Sequence, residues 1–330
     1  MTHSSRREFL RAGSGAALLA SIPTIARAQA PLGTLRILCG YPAGSPPDFV
    51  ARQVGEKLTG TYARTVIVDN KTGAAGRLVV DALKAAPPDG GTMLLTPASV
   101  MTMYPFIYRQ LSYDPKLDFA PVSIAGDFSH ALALGPMVPE SVTSAREFVA
   151  WCKTNPGKAS CGNPGAGSLP HFIAVLMGKE GQAELQHVAY RGTGPATLDL
   201  IAGQIAAAIG PEGNFLPYLD SSRLRVVALT DARRSRFLPN VPTFTEQGFK
   251  TISLREWFGF FMPRGTAPSV VTQVASAVAA ALRSPALTQS FAKLGMETTS
   301  STPTELSAQV ESELAYWGPV VRREGFSAES

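Results

Sequence analysis

Three segments of this chain bring small residues, hydroxyls and a cation together in a pattern suited to holding an anion. They are Tyr41-Pro42-Ala43-Gly44-Ser45-Pro46-Pro47-Asp48, Asn163-Pro164-Gly165-Ala166-Gly167-Ser168 and Tyr190-Arg191-Gly192-Thr193-Gly194-Pro195. Each lies between a strand-like run and a helix-like run. A helix N-terminus carries unpaired N–H groups and a partial positive charge. Glycine lets a ligand come close to the backbone, so such a loop binds a carboxylate without any catalytic side chain. Ser45, Ser168 and Thr193 add hydroxyls, and Arg191 adds a cation. Each loop alone also reads as a capped turn, with Ser168 an N-cap, Asp48 favouring the helix dipole and Arg191 solvated. Three such loops in one chain favour the anion reading, because parallel strands gather their ends at one face.

The same residues give little support to catalysis. No loop matches a phosphate-binding G-x-x-x-x-G-K-[ST] or G-x-G-x-x-G pattern. Gly165-Ala166-Gly167-Ser168 lacks the closing glycine of a nucleophile elbow. His171 follows Ser168 by three residues, so with an aspartate the two would form a hydrolase triad. The simpler reading is a capping serine beside a packed histidine. No histidine, cysteine or carboxylate cluster has zinc spacing, and neither metal nor cofactor is expected. Cys39, Cys152 and Cys161 are too few for a disulfide scaffold; Cys152 and Cys161 stay open between a disulfide and buried thiols.

The surrounding pattern must place these loops. Strand-like runs at 35–39, 65–68 and 92–96 alternate with helical segments, the first marked by Val50, Val54 and Leu58 on one stripe. The alternation returns with a helix at 145–153, strands at 158–161 and 185–189, and a helix carrying Leu169, Phe172, Ile173, Leu176 and Met177. A helix at 195–203 and strands at 205–209, 225–229 and 258–262 follow. Three Pro- or Val-marked helices close the chain. The pattern predicts an α/β protein of two lobes, each a mostly parallel sheet flanked by helices, with a ligand cleft between them. Residues 128–252 are read as the second lobe, inserted into a first lobe of 29–127 and 253–330. Trp257, Phe258, Phe260 and Phe261 read as core and hinge packing.

The N-terminus reads as a targeting peptide. Arg6-Arg7 precedes the apolar run Ala16-Ala17-Leu18-Leu19-Ala20, and Ala26-Arg27-Ala28 supplies small residues for cleavage, predicted after Ala28 on a twin-arginine route. Residues 1–28 hold four arginines and one glutamate, so without them the net charge of +5 becomes +2. The basic character therefore belongs largely to the targeting peptide, and nucleic-acid binding loses its main argument.

Taken in order, the motifs resemble one family over essentially the whole mature chain. They include Tyr41-Pro42-Ala43-Gly44 with Asp48, Pro88-Asp89-Gly90, Asn155-Pro156-Gly157-Lys158 and Gly167-Ser168 with His171. His187-Val188-Ala189-Tyr190-Arg191-Gly192, Leu238-Pro239-Asn240-Val241-Pro242-Thr243, Trp257-Phe258-Gly259 and Pro263-Arg264-Gly265-Thr266-Ala267-Pro268 complete the run. The sequence is similar to the Bug-type substrate-binding receptors of the tripartite tricarboxylate transporters. The resemblance implies a type II-like periplasmic binding protein that closes on its ligand and serves as a monomer beside membrane permease subunits. A sensor role toward a signalling partner stays open. It also implies a carboxylate held by Tyr41, Ala43, Gly44, Ser45 and Asp48 of the first loop and by Gly165, Ala166, Gly167, Ser168 and His171 of the second lobe. Tyr190, Arg191, Gly192 and Thr193 stand beside them, and Thr96 and Ser99 face the same cleft. Two departures stand out. Pro46 and Pro47 offer no N–H to an anion, and Ala206 and Gly210 replace the family's frequent acidic residues. Glu212 is the nearest partial substitute. The ligand implied is a non-amino carboxylate such as a dicarboxylate or aromatic acid.

Overall fold

The predicted alternation of strand and helix is present from the first described residues of the computed structural model, which describes residues 31–327. The twin-arginine motif and the cleavage site lie outside the described residues. The chain runs β1 (Leu32–Cys39), α1 (Pro46–Leu58), β2 (Ala63–Asn70), α2 (Arg77–Lys84), β3 (Thr92–Pro97), two short helices α3 (Ala98–Thr102) and α4 (Tyr104–Ile107), and β4 (Phe119–Phe128). It continues with β5 (His130–Leu134), α5 (Ala145–Thr154), β6 (Ser160–Asn163), α6 (Leu169–Gly181), β7 (Gln186–Ala189), α7 (Thr193–Ile201), β8 (Ala207–Pro211) and β9 (Arg225–Leu229). Last come β10 (Glu256–Pro263), α8 (Pro268–Leu282), α9 (Pro285–Ala292), β11 (Met296–Glu297) and α10 (Pro303–Glu324).

Two sheets result, ordered β11-β4-β10-β3-β1-β2 and β7-β6-β8-β5-β9. Both are mixed, which corrects the expectation of mostly parallel sheets. β1 pairs in parallel with β2 and β3, and β6 with β7 and β8. β10 and β4, and β5 with its neighbours β8 and β9, run antiparallel. The reason lies at the crossings. β4 leaves the first sheet and, after Ser129 alone, becomes β5 of the second. β10 brings the chain back, entering between β3 and β4 against the direction of both. β5 and β10, the strands that follow the two crossings, are thus the ones that oppose their neighbours.

Local sequence explains why several elements start where they do. Pro46 opens α1, where a missing N–H costs nothing, and Val50, Val54 and Leu58 are buried under it. Ser144 caps α5, and Thr302 with Glu305 forms a reciprocal capping box on α10. β10 is buried along its full length, with Phe258, Phe260 and Phe261 in the core. The C-terminal helix does more than pack back on the first sheet. Its Trp317 meets Phe172 of α6 edge-on at 5.7 Å, and Lys179 of α6 pairs with Glu324. Apolar side chains of both lobes thus join one continuous cluster beneath α10. Cys39, Cys152 and Cys161 are buried free thiols, and burial pushes each up to about 12. Among the described residues no single helix is long and apolar enough to cross a membrane.

Candidate ligand-binding site

The first loop is fixed from within. Ser45 N–H and its hydroxyl both donate to the Pro42 carbonyl, at 3.1 and 2.6 Å, across a turn in which Gly44 takes φ +82°. A residue with a Cβ resists that angle. Asp48 anchors the turn. Its carboxylate accepts from Gly44 N–H at 2.8 Å, Arg52 Nε at 3.0 Å and Asn70 Nδ2 at 2.9 Å. Burial alone would raise the Asp48 carboxyl, but Arg52, Gly44 and Asn70 together hold it below its ordinary value. Asn70, at the end of β2, also donates to the Tyr41 carbonyl at 2.9 Å, so strand and loop are locked together.

The second loop turns on Gly165, whose N–H donates to Asn163 Oδ1 at 3.1 Å. Ser168 caps α6 by accepting from His171 N–H. The His171 ring has other partners. Its Nδ1 accepts from Gly167 N–H at 2.9 Å, and the ring packs against His187 and Phe326. Burial, and then His187, pushes His171 down to about 3. In the third loop Gly192 precedes α7 with φ +111°, and Tyr190 donates to Asp199 at 2.8 Å.

Two chambers lie between the sheets where these loops meet. The outer, of about 480 Å³, is walled by Tyr41, the loop 72–77, Tyr108, the 164–166 backbone and Tyr190 to Gly192. It carries two cations, Arg77 and Arg191, with the Arg77 guanidinium 3.9 Å above the Tyr108 ring. The inner, of about 50 Å³, is lined by Phe128, Phe258, Leu169 and several prolines together with Ser45, Ser99, Ser168 and Thr193. Its polar residues include His130, Asn214 and Glu256. Tyr41, Pro164 and Gly192 line both chambers, which therefore share a wall. Burial, then the Glu256 charge, keeps the Tyr41 hydroxyl protonated and able to donate.

Of the residues singled out in the sequence, Tyr41, Ser45, Ser99, Gly165, Ala166, Ser168, Tyr190, Arg191, Gly192 and Thr193 line one chamber or both. Ala43, Gly44, Asp48, Thr96, Gly167 and His171 do not. Asp48 and His171 face inward, toward the loops they stabilise. Sequence reasoning missed Arg77, Tyr108, His130, Asn214 and Glu256. Glu256, a carboxylate opening the aromatic run Trp257 to Phe261, was the one readable signal, because a charge in a buried strand needs a partner. Among the described residues no group of three or more histidines, cysteines or carboxylates is placed to hold a metal.

A cleft between two mixed α/β lobes, walled by helix-opening loops, matches a known receptor design. Residues 50–326 match the model of the tripartite tricarboxylate transporter family receptor. The chain belongs to this family. It is 29% identical over 296 residues to protein BugT of Bordetella pertussis strain Tohama I, covering 89% of this chain and 90% of BugT. The solved periplasmic binding protein BugD superposes with a TM-score of 0.83 at 27% identity, over 90% of this chain and 99% of BugD. R. palustris Rpa4515, solved with adipate, gives 0.84 at 27% identity, over 91% and 99%. The receptor fold, with two lobes about a cleft, is therefore that of this chain.

Proposed function

We propose that this family receptor captures a small carboxylate-bearing solute in the periplasm and delivers it to the membrane permease of a tripartite tricarboxylate-type transporter. The observation that carries the reading is the outer chamber: a cleft between lobes, of ligand size, with Arg77 and Arg191 on its wall and three glycine-rich loops around it. Two guanidiniums and backbone N–H groups suit a carboxylate. The adipate in Rpa4515 supports the same ligand class.

Tyr41, Ser45, Ser99, Gly165, Ala166, Ser168, Arg191, Gly192 and Thr193 contact the ligand in this reading, while Asp48 holds the first loop in shape. Residues 29–127 with 253–330 move as one lobe against 128–252, and ligand that touches both favours the closed form by its differential affinity. The protein acts as a monomer without turnover, exported by the twin-arginine route with cleavage after Ala28. A thermal-shift screen of mono-, di- and tricarboxylates, amino acids and aromatic acids tests the reading. A true ligand at about 100 times its Kd stabilises the fold by about 2.7 kcal/mol, a shift of a few degrees. A sharp unfolding transition unmoved by every carboxylate would reject it.

A further inference from the structure

The inner chamber ends on buried polar groups, two of whose atoms the fold leaves unpaired. His130, at the start of β5, is 1% exposed, and Glu256, at the start of β10, is 4% exposed. His130 Nε2 lies 2.8 Å from Glu256 Oε2, and Glu256 Oε1 accepts Ser99 N–H at 3.2 Å. His130 Nδ1 and Asn214 Oδ1 are buried and have no hydrogen-bond partner among the described residues. All three side chains line the chamber.

His130 Nδ1 donates or accepts according to the tautomer of the ring. The Asn214 amide, in the same lining, likewise accepts or donates according to its flip. A hydroxyl does both, so it satisfies either arrangement.

Among the described residues no lysine or arginine lines the inner chamber, and Glu256 does. The cations stand in the outer chamber. A second carboxylate would thus enter the inner chamber beside Glu256 with no lysine or arginine to compensate it. An uncharged oxygen meets no such penalty. The volume of about 50 Å³ admits only a few atoms, and Phe128, Phe258 and Leu169 favour an apolar stem.

We propose that His130 and Asn214 form a specificity subsite for an uncharged oxygen, a hydroxyl, at the end of the ligand remote from its carboxylate. Glu256 is the positioning residue that fixes the His130 ring. The inference rests on the carboxylate-receptor reading and narrows it from acids in general to acids with a short apolar stem tipped by a neutral oxygen.

Calorimetric titration of the purified protein with matched acids tests it. One series is butyrate, its ω-hydroxy analogue and succinate; the other is hexanoate, its ω-hydroxy analogue and adipate. The ω-hydroxy acid of the favoured length is expected to bind about 10-fold tighter than the methyl-ended acid, the worth of one buried hydrogen bond, and tighter than the diacid. His130→Phe and Asn214→Leu are each expected to bring the hydroxyl-to-methyl affinity ratio near one. Asn214→Leu, which leaves the His130–Glu256 pair intact, carries the result if His130→Phe fails to fold. Equal affinity for hydroxyl- and methyl-ended acids in the unaltered protein overturns the subsite. Tighter binding of the diacid overturns its neutrality. Failure of every acid to bind overturns the carboxylate-receptor reading itself, and this inference with it.

Discussion

Tyr108 Oη donates a hydrogen bond of 3.0 Å to the Ala166 carbonyl, from the α4 end of one lobe to the glycine-rich loop of the other. Beside it, a Cβ on Gly165 would stand 3.5 Å from Ala75, so the two loops are in near contact across the outer chamber. Arg77 lies over the same tyrosine ring. The mouth of the cleft is thus latched by one phenol, while the His130–Glu256 pair links the two sheets at its floor.

Tyr108→Phe removes the latch and keeps the ring under Arg77. The closed form should lose about one hydrogen bond, near 1 kcal/mol, or about fivefold in ligand affinity. Small-angle scattering of the unliganded variant should show an expanded particle relative to the unaltered protein. Identical profiles and equal affinity would show that closure does not depend on Tyr108.

Glu212 sits at the crossing between lobes, where its N–H donates to the Ser129 carbonyl at 3.0 Å. Burial pushes its carboxyl up to about 7, partly opposed by the Ser235 hydrogen bond and by Arg255. A folded pKa above the unfolded value means the folded state holds the proton more tightly. Its contribution to stability is full below the unfolded value and is lost as pH rises through about 7. Glu212→Gln should therefore gain stability over the unaltered protein at about pH 8, on the order of 3 kcal/mol, and little at about pH 4. Urea midpoints across that range decide it: a constant difference between the two proteins would refute the assignment.

How far the sequence was legible depended on whether the signal was local. α6 could be read because Leu169, Phe172, Ile173, Leu176 and Met177 fall on one helical face. The direction of β10 could not, because pairing is decided by where the chain returns, and its register against β4 shifts between Phe258 and Gly259 and between Phe260 and Phe261. The loops 41–48, 163–168 and 190–195 were legible as loops, since glycine, proline and capping residues act within a few positions. The inner chamber was not. His130, Asn214 and Glu256 come from three distant segments, joined only by the two crossings between sheets. Asp48, expected at the ligand, lines neither chamber. Its partners Arg52 and Asn70 satisfy it inside the fold, and Asn70 is supplied by the neighbouring strand.

Asp48→Ala should release the first loop. Three hydrogen bonds, one of them to a guanidinium, are lost, and Asn70 and Arg52 are left without that acceptor. A loss of about 2–4 kcal/mol in stability is expected, together with weaker ligand binding. Because the Asp48 carboxyl is held below its ordinary value, its contribution is present above the unfolded pKa and is lost as pH falls through the folded one. The unaltered protein and Asp48→Ala should therefore converge in stability in strong acid. A difference that persists undiminished at the lowest pH where both still fold would sink this account.

Ser168 and His171 provide the last test, because the two residues bear on whether the cleft does chemistry. The Ser168 hydroxyl accepts from the backbone N–H of His171, while the imidazole accepts from Gly167 N–H and packs on His187. A general base must reach the proton it removes, and here the ring has its Nδ1 already occupied by Gly167 N–H. Held down to about 3 by burial and by His187, it is also a poor base at neutral pH. Ser168→Ala should thus behave as the loss of a helix cap, costing about 1 kcal/mol and lowering Tm by a few degrees. Small esters should not be hydrolysed by either protein at a rate above that of buffer. Turnover by the unaltered protein that Ser168→Ala abolishes, with the fold intact, would establish a hydrolase where this geometry places a cap.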